Sequence, residues 1–207
     1  MLRRLHRWNA AALSVFLILH IGNHLVLIAG TDSHIAVMGL LRVGYRAAII
    51  EPILISLFAA QIILGLALIW QRGRPRGGWA WAQVISGGYI GFFLLQHVPA
   101  IIAARRSFPD MDTNVTFAAS VVALDPIRWY FAPYYIFAIF AIFTHVAAAL
   151  RFRIWPEPAN TPIKLLPVVG LVAGCIVAAG LAGLLHPMDL TPDNWTYLRE
   201  TWGLTRP

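Results

Sequence analysis

Long apolar stretches without a charged residue alternate along this chain with short segments that carry the charges. A helix rises 1.5 Å per residue, so about 20 apolar residues cross the hydrocarbon core of a bilayer. Each stretch reaches that length. We therefore expect an all-α fold, an integral membrane bundle of five transmembrane helices at about 8–31, 52–71, 79–104, 129–150 and 165–186.

Composition agrees with lipid as the main surroundings of the chain. Of its 207 residues, 59% are hydrophobic and 12% charged, and the mean hydropathy is +0.69. A soluble domain averages roughly 45–50% apolar and about 25% charged residues. No repeat or second unit is visible, so we expect a single transmembrane domain over 1–207, with an aromatic surface tail at 187–207.

The basic residues predict the orientation of the helices. The net charge is +7, and arginines gather where the odd-numbered spans begin and the even-numbered spans end. Because cytoplasmic loops are enriched in Lys and Arg, we expect a cytoplasmic N-terminus. The charge therefore reflects membrane topology, and we expect no nucleic-acid partner. The residues on that side are Arg3, Arg4, Arg7, Arg72, Arg74, Arg76, Arg151, Arg153 and Lys164.

Four histidines lie inside the apolar stretches. An ionisable group at bilayer depth costs several kcal/mol unless it is paired or ligated, so such residues are functional candidates. Counted along the helices, His20, His24 and His97 share a level in the outer half of the membrane. His145 belongs to the inner half, as does Gln61 of the second span.

Two imidazoles at one depth on different helices are what bis-histidine ligation of a haem iron requires. Hydrogen bonding between helices or a proton relay is the rival interpretation. Zinc is less favoured, because no carboxylate or thiolate lies nearby at ligand spacing. His20 and His24 share one helix face, so spacing leaves open which of them is the ligand.

Several phrases of this chain resemble one known family. They surround His6, run from His20 to His24 and from Met38 to Glu51, and precede His97 and His145. They are similar to phrases in the diheme cytochrome b membrane subunits of bacterial succinate dehydrogenases and fumarate reductases, the single-chain type with five helices. The resemblance covers most of residues 1–185, and spacing across helices carries it.

The resemblance implies a set of haem ligands. His20 and His97 would be the axial ligands of an outer haem b, and His145 would hold an inner haem. The partner of His145 would come from the second helix, where this chain has Gln61 in place of the family's histidine. Glutamine is a poor axial ligand, so we expect one haem and leave the second open.

The resemblance also implies partners and a location. The chain would anchor an iron–sulfur subunit and a flavoprotein on the cytoplasmic face of the bacterial inner membrane, and would pass electrons between them and quinone. It would be a subunit of an oxidoreductase complex that does not itself bind the dicarboxylate. Glu51, His6 and Trp8 are candidates for a quinone site, although such residues more often cap helices or anchor them at the interface.

Two alternatives remain. In the first, the chain would be an orphan one-haem cytochrome b that serves another dehydrogenase. In the second, it would be a non-redox membrane transporter or assembly protein. A transporter is expected to show broken helices or matching halves, which are not visible in the sequence.

Overall fold

The computed structural model describes residues 1–153 and 161–206. Over these residues the chain forms helices and no strand. A 3₁₀ turn at Val26–Ala29 continues the first helix. The α-helices are α1 (Leu2–Leu25), α2 (Thr31–Tyr45), α3 (Ile50–Arg72), α4 (Gly78–Ser107), α5 (Val115–Val122), α6 (Arg128–Arg153), α7 (Thr161–Leu181) and α8 (Pro192–Trp202).

Five of these elements are long and apolar enough to cross a membrane: α1 with its 3₁₀ turn, α3, α4, α6 and α7. The predicted all-helical architecture with five apolar spans is thus confirmed. The helix ends differ from the apolar boundaries, because a helix can continue into charged residues beyond the hydrocarbon. Thus α1 begins at Leu2 instead of residue 8. Conversely, α7 ends at Leu181 instead of 186, because Gly183 adopts a positive φ of 75° that a helix cannot accommodate.

The C-terminal tail packs against the protein. Helix α8 begins with a capping box in which Thr191 and Asn194 exchange hydrogen bonds with each other's backbone. Its Leu198 is fully buried, and the Tyr197 ring contacts Phe108 and Phe117 at centroid distances of 5.6 and 4.9 Å. These contacts join α8 to α5 and to the end of α4.

The spanning helices form two groups. Helix α6 packs closely against α4 and α7, whereas α1 packs mainly against α3. Glycines allow the closest contact. A Cβ on Gly174 would lie 2.7 Å from the Ile136 carbonyl oxygen, and one on Gly170 would lie 2.5 Å from Cβ of Phe143. Contact between the two groups is sparser, so side chains from α1 and α3 face α4 and α6 across the interior.

Polar pairs mark the two ends of the bundle. We call the end with Leu2 the N-terminal end; there Arg72 donates to the Gln83 side chain at 2.9 Å. At the opposite end Arg42 pairs with Asp112 at 2.6 Å. The charged loops thus gather at two ends in the antiparallel order that the sequence predicts.

Candidate functional site

Four imidazoles lie together between the helix groups, towards the opposite end. We call His20, His24, His34 and His97 the four-histidine cluster. The ring centroids of His20 and His97 are 6.3 Å apart, those of His20 and His24 are 4.8 Å apart, and those of His24 and His34 are 5.3 Å apart. Side chains from α1, α2 and α4 therefore converge at one level.

The rings of His20 and His97 are separated by the distance expected for two axial ligands of one metal. An imidazole nitrogen lies about 2 Å from a metal that it ligates, and the ring centre about 1 Å farther, so two such rings across one metal are about 6 Å apart. The observed 6.3 Å matches that span. In the described part of the chain, neither ring has a hydrogen-bond partner, which leaves their nitrogens available to a metal.

Aromatic rings hold these two imidazoles. Phe16, one turn before His20, stacks on its ring at 5.1 Å with an interplanar angle of 17°. Phe93, one turn before His97, stacks in the same way at 4.9 Å and 18°. An (i, i+4) pair on a helix brings such rings together. The two helices therefore present the same local arrangement, an imidazole supported by a phenylalanine on its N-terminal side.

His34 belongs to the cluster and was missed by the sequence reasoning. It is 1% exposed, and its Nε2 lies 3.2 Å from Nδ2 of the buried Asn23. Burial, with the nearby His20 and Arg42, lowers the pKa of His34 to about 4. The sequence signal that could have found it is the helical spacing of His34 and Met38, which places both residues on one face of α2; these two form its buried face.

Three buried polar atoms at the cluster, two of them on its own histidines, have no partner among the described residues. They are Oδ1 of Asn23, Nδ1 of His24 and Nδ1 of His34. His24 contacts His20 and His34, and no ring contact joins it to His97 among the described residues. His20 is therefore the residue of the first span that lies opposite His97.

A second polar site lies nearer the N-terminal end. His145 of α6 donates from Nδ1 to the Gln83 carbonyl oxygen at 3.0 Å, with the Ser86 hydroxyl at 3.3 Å. A neutral imidazole that carries its proton on Nδ1 has its lone pair on Nε2. A Cβ on Gly87 would lie only 2.9 Å from Cε1 of His145, so the ring requires glycine there.

The Gln61 side chain is bonded to residues of α1 and not to His145. Its Oε1 accepts from Nδ2 of Asn9 at 2.7 Å, and its Nε2 lies 3.2 Å from Nε2 of His6. We call His6, Asn9 and Gln61 the N-terminal polar site. Because its carbonyl oxygen is already bonded, Gln61 is a connector between α1 and α3 in this structure, in contrast to the ligand position that the resemblance implies.

The remaining quinone candidates lie elsewhere. The Glu51 carboxylate pairs with Arg105 at 2.6 Å, which joins α3 to α4. Trp8 is 73% exposed and lies on the outer surface of the helix pair. Of the three candidates, only His6 takes part in an interior polar site.

In the described parts of the chain, no group of three or more His, Cys, Asp or Glu side chains has an arrangement that holds a bare metal ion. A pair of facing imidazoles suits instead an iron whose other four ligands come from a porphyrin. No protein-family model, curated protein or solved structure matches the chain.

Proposed function

We propose that this chain is a haem b-containing membrane anchor and electron-transfer subunit of a succinate:quinone or quinol:fumarate oxidoreductase. The observation that carries the proposal is the 6.3 Å between the rings of His20 and His97 on two different spans. These two residues would be the axial ligands, and a haem bound there would supply reversible one-electron transfer.

The alternative interpretation, histidines that bond helices together, predicts hydrogen bonds between them. His34 follows that pattern through Asn23, whereas His20 and His97 have no such bond in the described residues. The backbones of α1 and α4 are also not among the closely packed pairs. Two facing imidazoles on helices held apart are better suited to a flat group between them than to direct helix packing.

The surrounding side chains suit an electron carrier. Phe16 and Phe93 restrict rotation of the two imidazoles by stacking on them. The buried side chains of Leu13 and Phe58 add to the apolar interior. An apolar environment excludes water and affects the reduction potential of a bound haem.

The orientation and the partners form the second part of the proposal. With the N-terminal end in the cytoplasm, Arg72, Arg74 and Arg76 form an exposed basic turn on that face. This turn would face an iron–sulfur subunit with its flavoprotein, and electrons would move between that subunit and quinone through the membrane domain. The bacterial inner membrane is the location that this arrangement requires.

The test is purification of the full chain from membranes in mild detergent, with haem and protein measured in the same sample. We expect at least one haem b per chain and a reduced-minus-oxidised spectrum of a bis-histidine cytochrome b. Preparations without haem, made under haem-sufficient expression, would reject the proposal.

Identification of co-purifying chains tests the partner assignment. An iron–sulfur protein and a flavoprotein in stoichiometric amounts would support the anchor role. Haem without these two subunits would reject that role and leave an orphan cytochrome b, the second candidate function.

A further inference from the structure

The polarity of every hydrogen bond in the N-terminal polar site can be assigned. Nδ2 of Asn9 lies 2.8 Å from the Leu57 carbonyl oxygen, which only accepts. The Asn9 amide nitrogen therefore donates there, and its second hydrogen donates to Oε1 of Gln61. The Gln61 amide nitrogen must then be the donor to Nε2 of His6 at 3.2 Å.

This chain of bonds determines the tautomer of His6. A neutral imidazole that accepts at Nε2 carries its proton at Nδ1. That Nδ1 is buried and has no partner among the described residues. A buried N–H donor without an acceptor is rare in folded proteins, since its desolvation is costly. The structure thus presents a buried donor that lacks an oxygen to bind.

The same tautomer argues against His6 as an axial ligand. Neither of its nitrogens has a free lone pair, because Nε2 accepts from Gln61 and Nδ1 carries the proton. His145 has the reverse character, with Nδ1 bonded to Gln83 and the lone pair on Nε2. His145 also lies towards the N-terminal end, so a donor and an acceptor nitrogen occupy the same end of the interior.

Glycines lie beside both rings. A Cβ on Gly65 would lie 3.6 Å from Cε1 of His6, and one on Gly87 would lie 2.9 Å from Cε1 of His145. Neither α3 nor α4 therefore places a side chain against these imidazoles at these positions.

We infer that Nδ1–H of His6 binds an oxygen acceptor of a redox group near the N-terminal end, either a quinone ring carbonyl or a haem carboxylate. This inference rests on the proposed function, because the electron-transfer role is what supplies such a group. It assigns to Asn9 and Gln61 a positioning role: they keep the proton of His6 on the nitrogen that donates.

The experiment compares His6→Leu, which removes the donor, with His6→Asn, whose amide nitrogen takes nearly the position of Nδ1. Ile18→Val, at a residue of the same helix that is 71% exposed, is the control. Each full-length protein is purified in detergent. The dissociation constant of a short-chain ubiquinone analogue is measured by calorimetry, and the haem content and midpoint potentials are measured in parallel.

If the acceptor is a quinone carbonyl, His6→Leu should weaken quinone binding about tenfold, the factor expected for one lost hydrogen bond. His6→Asn should stay within about threefold of wild type, and Ile18→Val should match the wild type. If the acceptor is a haem carboxylate, His6→Leu should instead lower the haem content or shift one midpoint potential, with quinone affinity unchanged.

Two results would overturn the inference: no change in either measurement for His6→Leu, or equal losses for His6→Leu and His6→Asn. Retention of the spectrum of the haem at His20 and His97 shows that each variant is folded. Wild-type protein without haem would instead reject the proposed function, so the two failures are distinguishable.

Discussion

The four-histidine cluster and the N-terminal polar site use imidazoles in opposite ways. In the cluster, His20 and His97 are held by stacked phenylalanines and have no hydrogen-bond partner in the described residues. In the polar site, His6 is held by hydrogen bonds that determine which nitrogen carries the proton, and the same is true of His145 towards the same end of the bundle. Stacking on a phenylalanine leaves both nitrogens of an imidazole available for ligation, whereas a hydrogen bond occupies one of them.

This contrast shows why histidine alone is a weak predictor of a ligand. His20, His97 and His145 all lie in long apolar helices, yet their surroundings differ. The partners across the interior decide whether a ring is open to a metal, bonded as a donor or bonded as an acceptor. Variants that remove those partners therefore test the comparison directly.

The largest effect is expected for the facing pair of the cluster. His20→Ala and His97→Ala should each remove the absorption band of the proposed outer haem, because one imidazole does not replace bis-histidine ligation. His24→Ala, which alters a neighbouring ring that does not face His97, should retain it. Difference spectra of equal amounts of purified protein check this. Loss of the band in His24→Ala alone would transfer the ligand role to that residue.

At the second site, Gly87→Ala should destabilise the protein by about 1–3 kcal/mol, because the new methyl group would overlap the His145 ring. Gly88→Ala is the matched control, since a Cβ there meets nothing within 4 Å. Denaturant unfolding of both variants in detergent measures the difference. Similar stability of the two variants would show that the His145 ring can move away at little cost.

Acid should affect the cluster through His34. Its pKa in the folded protein, about 4, lies below the unfolded value of 6.5, so the unfolded chain binds a proton first as the pH falls. The stability contributed by neutral His34 is therefore complete above pH 6.5 and is lost towards pH 4. At about 1.4 kcal/mol per pH unit between the two pKa values, the loss should be on the order of 3 kcal/mol.

Unfolding curves across that pH window check this prediction. His34→Gln retains an acceptor for Asn23 but does not titrate, so its stability should vary less with pH. Equal pH dependence in the variant and the wild type would assign the effect to another group.

The smallest effect is expected at the opposite end. Glu51→Gln removes the ion pair with Arg105, whose side chains are about one-third exposed at 28% and 31%. Partly solvated pairs contribute less than about 1 kcal/mol, and the pair lies outside both histidine sites. Thermal unfolding should change little, and haem content should stay at the wild-type value. A marked loss of quinone affinity would restore Glu51 as a quinone-site residue.

Much of the architecture follows from hydropathy, because lipid requires long apolar helices whatever their neighbours are. The five apolar spans and the grouping of charged loops at two ends could be predicted in this way. So could the common level of His20 and His97, since a helix has a constant rise per residue. Each of these properties depends on one helix at a time, or on the antiparallel order of successive helices.

Other properties depend on how the helices pack against one another. That His34 of α2 turns inward, that Gln61 bonds to His6 and Asn9, and that Gly87 accommodates His145 all depend on residues far apart in the chain. Hydropathy carries no information on such pairs, because tautomers and contacts are decided by the side chain opposite. The rotation of each helix about its axis selects that side chain, and packing against neighbouring helices sets the rotation.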